Sequence, residues 1–134
     1  MKLNQVTLKA RDVGICAEFY ERLGFVLIVD SRPRYVRFES PEGGATFSVE
    51  LAEHPAVGEG PEVYFECDDL DAAVERLKHR GLEFDHDPKD QPWLWREARL
   101  RDPAGNVIVL FHAGMNRRFP PWRVDGLTAP PGGG

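Results

Sequence analysis

Cysteine, an excess of basic charge and long apolar runs are all scarce in this chain, and each shortage removes a class of protein. Cys16 and Cys67 are the only cysteines. Both stand at apolar positions of predicted elements, which suits buried free thiols better than a disulfide or a metal pair. No apolar stretch approaches the roughly 18 residues of a membrane span, and the first residues carry no apolar leader core. A cytoplasmic protein without a membrane partner is the resulting expectation. Lys and Arg number 17 against 22 Asp and Glu, a net charge of −5. The basic patch that a nucleic-acid partner requires is therefore not expected. The 134 residues suit one domain with a sizeable core.

What the chain does have is an internal repeat. Shifting it by about 57 residues places Val6–Ala10 on Val63–Cys67, Asp12-Val13 on Asp69-Leu70, and Gly24-Phe25 on Gly81-Leu82. Each half reads as strand, Asp cap, helix, Gly stop and strand. Asp12 and Asp69 suit helix N-caps, because a carboxylate accepts the free N–H groups of the first turn. Gly24 and Gly81 suit the left-handed residue that ends a helix. Leu70, Ala73, Val74 and Leu77 follow the spacing of a helix with one buried face, as do Ile15, Phe19 and Leu23. Further strands are expected at 25–30, 35–39 and 45–51 in the first half, and at 82–86, 98–101 and 106–112 in the second. Turns at Pro41–Gly44 and Asp102–Gly105 separate the last two strands of each half. The fold class predicted is α+β: two βαβββ modules, residues 1–53 and 60–115, forming an eight-stranded open barrel-like sheet with helices outside. Together they make one domain over 1–115. Residues 116–134 form a Pro/Gly-rich tail whose last residues are expected to be disordered. Its Phe119-Pro120-Pro121-Trp122 run is expected to fold back over the body or a partner subunit, since bare aromatics invite aggregation.

Strand alternation sorts the side chains into two faces. Val6, Leu8 and Ala10 cover the first helix, so Gln5, Thr7 and Lys9 take the far face. Val63, Phe65 and Cys67 cover the second, leaving Glu62, Tyr64 and Glu66 opposite. Phe47, Val49 and Leu51 pack, while Thr46, Ser48 and Glu50 turn away, as do Arg37 and, near the C-terminus, Val107, Val109 and Phe111. A mixture of carboxylates, aromatics, amide and cation suits a concave, partly dry binding site. A solvated face with surface ion pairs is the plainer alternative.

The run from Val13 to Gly24-Phe25, in the manner of DVxxxxxFYxxLGF, together with Arg101-Asp102-Pro103-Ala104-Gly105-Asn106, resembles the vicinal oxygen chelate superfamily. That group includes glyoxalase I, extradiol dioxygenases and the fosfomycin- and bleomycin-resistance proteins. Gln91-Pro92-Trp93 followed by Arg96-Glu97-Ala98 is especially similar to bleomycin-resistance-type members. The resemblance spans about residues 3 to 113 and implies the paired-module fold and a homodimer. In metal-dependent relatives four side chains hold one divalent ion. The corresponding positions are Gln5, Glu50, Glu62 and Val109, of which Val109 has no donor atom. The remaining Gln5, Glu50 and Glu62 set is oxygen-rich and suits Mn²⁺, Ni²⁺ or Mg²⁺ if any metal binds at all.

Without a metal, crowding of Glu50, Glu62 and Glu66 would raise a carboxylate pKa and supply a general base, with Glu50 and Glu66 the catalytic candidates. Neutralisation of the three by Lys9, Arg37 or Arg99 is the competing reading. Trp93, Trp95 and Tyr35 offer flat surfaces to a planar or cationic ligand. The ligand-binding set is Gln5, Arg37, Tyr64, Trp93, Trp95, Arg99 and Val109. The resemblance then implies a protein that sequesters a small molecule between its sheets without a complete metal site. A metal-dependent lyase or isomerase of glyoxalase type is the alternative.

Overall fold

Two aspartates open the two helices. Asp12 takes an extended conformation and its carboxylate accepts the Ile15 N–H at 3.1 Å. Asp69 does the same for the Ala72 N–H, also at 3.1 Å. The computed structural model describes residues 3–55 and 60–130. The first module runs β1 (Gln5–Ala10), α1 (Val13–Leu23), β2 (Val26–Ser31), β3 (Tyr35–Glu39) and β4 (Thr46–Leu51). The second runs β5 (Val63–Glu66), α2 (Leu70–His79), β6 (Lys89–Asp90), β7 (Arg96–Arg101) and β8 (Val107–His112), followed by a 3₁₀ turn at Gly114–Asn116.

Each module is a four-stranded sheet with the helix on one face, in the orders β1-β4-β3-β2 and β5-β8-β7-β6. The first strand pairs in parallel with the last in both modules, and the remaining pairs are antiparallel. The eight strands thus form two sheets rather than one closed barrel. The helix-bearing faces share one core. Phe25 and Phe47 of the first module lie with ring centroids 4.6 and 5.6 Å from Phe65 of the second. Tyr20 of α1 donates across the modules to the buried Asp102 at 2.7 Å.

Several sequence expectations need correction. No strand forms at 82–86; Leu82 is buried and Phe84 half-buried, but Asp85, Asp87 and Pro88 are poor strand formers. The Asp85 N–H donates to the Arg99 carbonyl of β7 at 2.7 Å, but regular pairing with β7 forms only at Lys89 and Asp90. Ile15 is half exposed, and the buried face of α1 is Val13, Cys16, Ala17, Phe19 and Tyr20. Leu51 ends β4 exposed, whereas Ser48, expected to face away from the core, is fully buried under polar partners. Cys16 and Cys67 are free thiols, one buried and the other half-buried. In the tail, Phe119 is buried beneath the Arg123 guanidinium, 4.2 Å from the ring centroid, while Trp122 is exposed. The closing Pro131–Gly134 lies outside the described residues.

Candidate ligand-binding faces

The helix faces meet in the shared core, which leaves the polar far faces and one cleft between the modules as surfaces for a ligand. On the first sheet, alternation brings Gln5 (β1), Ser48 (β4) and Tyr35 (β3) side by side. The Gln5 amide donates to Ser48 Oγ at 3.0 Å, and the Ser48 and Tyr35 hydroxyls lie 2.5 Å apart. Arg37 Nε donates to Tyr35 Oη at 2.9 Å, with its guanidinium carbon 5.5 Å from that ring. Burial alone would raise the Tyr35 phenol. The hydrogen bonds with Ser48 and Arg37 and the Arg37 charge outweigh burial and hold it below its ordinary range. Glu50 is bound by Lys9 next to this chain of contacts.

The second far face is aromatic. Trp95 stacks on Phe111 with centroids 4.8 Å apart, and the Tyr64 ring stands edge-on to both, at 5.8 and 5.5 Å. Val109 is fully buried in this cluster together with Ala113. Trp95 Nε1 donates to the Asn116 carbonyl at 3.2 Å, which ties the start of the tail to the sheet. Glu62 is bound by Arg99 and accepts the Tyr64 hydroxyl at 3.3 Å. Burial first, then the charges of Glu97 and Glu62, raise the Tyr64 phenol.

The predicted site residues therefore fall into separate groups. Gln5 and Arg37 join one hydrogen-bonded chain; Glu62, Tyr64, Trp95, Arg99 and Val109 gather on the other sheet. Among the described residues no side-chain hydrogen bond or ion pair connects the two far faces. Gln5, Tyr64 and Glu66 do meet at the rim of a cleft of about 690 Å³ between the modules, lined inside by Phe25, Phe47 and Phe65. Glu66 spends its carboxylate on backbone: Oε2 accepts the Ala113 and Gly114 N–H groups at 2.8 and 3.0 Å and so anchors the 3₁₀ turn.

The four positions that hold a metal in relatives do not fit an ion within one chain. Val109 is packed among aromatics with no donor atom, and both carboxylates are engaged by cations. Among the described residues no cluster of three or more His, Cys, Asp or Glu could hold an ion.

Sequence reasoning left Glu97 out of the site. It is 2% exposed and accepts the Trp93 indole N–H at 2.7 Å. The available signal was its parity: Glu97 stands two residues from Arg99 and shares its face.

Paired βαβββ modules with polar and aromatic far faces define the class: a two-module scaffold built to present side chains from a sheet surface. The chain belongs to the Glyoxalase/Bleomycin resistance protein/Dioxygenase superfamily, whose sequence profile matches residues 2–110. No curated protein sequence matches it. Among solved structures it is similar to a glyoxalase/bleomycin resistance protein/dioxygenase from Nocardioides, at 29% identity and TM-score 0.68 over 84% of this chain and 83% of that one. A bleomycin resistance determinant encoded on transposon Tn5 superposes with TM-score 0.70 at 22% identity, covering 84% and 98% of the two chains. A lactoylglutathione lyase from Agrobacterium tumefaciens gives 0.69 at 21% identity, covering 83% and 92%. The last two likenesses establish the fold alone.

Proposed function

We propose that this protein binds a small molecule, without a metal, in a cleft formed when the polar far face of one copy meets the aromatic far face of a second. The observation that carries the reading is the aromatic face itself. Tyr64 and Trp93 are 37% and 44% exposed beside a pre-stacked Trp95–Phe111 pair, so flat apolar surface is held ready without a partner. Aromatic surface of this kind stabilises association with planar ligands and with cations. Among the described residues no side-chain hydrogen bond joins the two far faces, which suits two half-sites. A head-to-head twofold pair would place one face of each kind on both sides of two equivalent clefts. A protein of this fold has been solved with bleomycin bound, which makes bleomycin the first probe.

The test is a tryptophan-fluorescence titration with metal-free bleomycin, paired with light scattering. A dimer mass at micromolar concentration and saturable quenching are expected. Trp95→Ala should weaken binding at least tenfold. Mixing Arg37→Ala chains with Trp95→Ala chains should restore about one intact cleft per mixed dimer. A monomeric mass, or mixtures no better than either parent, would sink the two-copy cleft.

A further inference from the structure

We propose that Glu97 is the anchor for a cationic nitrogen of the ligand, and that the Trp93 indole N–H holds its place until the ligand arrives. This rests on the binding reading above and assigns it a substrate class: an organic cation carrying an apolar or aromatic body.

The argument starts from strand register. Glu97 lies opposite Phe111 in the β7–β8 ladder, on the face of Arg99 and Val109 rather than that of the core residues Ala98 and Leu100. The residue is 2% exposed and, among the described residues, only Oε2 is engaged, by Trp93. Oε1 accepts no hydrogen bond among the described residues, in which no fully buried side-chain oxygen is left without a partner, so Oε1 sits at the edge of the buried region. A carboxylate this enclosed keeps little hydration, so a counter-charge at its open oxygen would stabilise it. The neighbouring protein cations do not supply one. Arg99 is committed to Glu62, and Arg96 points the other way to Asp71 and Asp90, at 2.9 and 3.0 Å. Lys89 sits opposite Glu97 in the β6–β7 pair but is exposed and makes no ion pair among the described residues.

The surroundings match a cation from outside. Tyr64 and Trp95 place aromatic surface on the sheet face that carries Glu97, the kind of surface that attracts ammonium groups, while Phe111, opposite Glu97, is buried against Trp95. The Tyr64 ring centroid lies 5.5 Å from that of Phe111, the residue opposite Glu97. Trp93 is a replaceable partner. Its side chain is 44% exposed and it rides a tight turn whose Leu94 has φ +67°, a left-handed conformation that leucine rarely adopts.

The experiment uses the full chain and two probes of the same shape, 2-phenylethylammonium and neutral 2-phenylethanol, followed through the indole N–H resonances of Trp93 and Trp95. In the wild type the cation should bind at least tenfold tighter and shift the Trp93 N–H as it leaves Glu97. Glu97→Gln preserves size and one acceptor oxygen, and should reduce the preference below twofold. Trp93→Phe frees Oε2 and should increase the preference threefold or more, an outcome opposite to loss of packing. That arm and the wild-type comparison decide the matter even if Glu97→Gln fails to fold. Equal binding of the two probes with Trp95 still perturbed removes the anchor and leaves the binding face standing. If neither probe moves Trp95, both readings fall.

Discussion

Asp102 accepts four hydrogen bonds while only 4% exposed: from Tyr20 Oη at 2.7 Å, the Ala104 N–H at 2.9 Å, and the Asn106 N–H and side-chain amide at 2.8 Å each. One carboxylate thereby fixes its own turn and ties it to the helix of the other module. Burial first, and the Asp102 charge second, drive the Tyr20 phenol far above its ordinary range. The same two causes push the Cys16 thiol from 9.0 up to about 12. For an acid whose folded pKa is raised, the stabilisation is complete below the unfolded value and is lost as pH climbs through it toward the folded value. The melting temperature should therefore hold steady from neutrality to about pH 8.5 and fall by roughly 5 °C or more at pH 10.5. Tyr20→Phe should cost about 1–2 kcal/mol at pH 7 but flatten the alkaline fall. A wild-type melting temperature unchanged up to pH 11 would contradict this account.

At the scale of elements, the helix boundaries rest on caps. Gly24 ends α1 at φ +112°, and a Cβ built there meets nothing within 4 Å. Substitution is thus opposed by backbone conformation and not by crowding. Gly24→Ala should destabilise by about 1 kcal/mol, and Gly24→Asn by less, since asparagine tolerates the left-handed region. Urea midpoints would show the order. The caps, both helices and most strands were legible because their signals are local: Asp69 and Gly24 act within one turn of chain, and Leu70, Ala73, Val74 and Leu77 carry their period with them. Two elements escaped that logic. The apolar Leu82 and Phe84 suggested a strand, yet they pack as an irregular segment that touches β7 through a single backbone bond from Asp85 to Arg99 before regular pairing at Lys89. Ile15 looked inward by spacing, but the shared core drew in Cys16 and Tyr20 instead, where the second module supplies Asp102.

At the scale of the whole molecule, the surroundings of Val109 make the metal question testable. Val109 lies in an apolar cluster with Phe111, Ala113 and Trp95. Val109→Glu would bury an uncompensated carboxylate there and should lower stability by about 3 kcal/mol or more. If a second copy brings its Gln5 and Glu50 to this face, Mn²⁺ or Ni²⁺ should recover much of the loss, because binding only to the folded state stabilises it. Melting curves of the variant with and without 1 mM Mn²⁺, beside untouched wild type, are the measurement. The wild type should show no shift and the variant a rise of about 5 °C or more. A metal-induced rise in the wild type, abolished by Glu62→Ala, would restore the metal-dependent lyase reading.

By itself the sequence determined the two modules, their caps, the alternation of faces and the family, since each is written in short-range spacing or in runs such as Arg101–Asn106. It also placed Gln5, Arg37 and Tyr64 on far faces, because parity needs only a strand's own residues. Only the tertiary structure decided what those residues touch. The sequence allowed Glu50, Glu62 and Glu66 to crowd into one cluster. In the fold Lys9 holds the first, Arg99 the second, and two backbone N–H groups the third. It likewise showed Glu97 as one charge among many beside Arg96. Burial of that carboxylate under Trp93 arises from a turn closing over a sheet face. The pairing of groups distant in sequence depends on how two sheets share a core, and no local pattern encodes that.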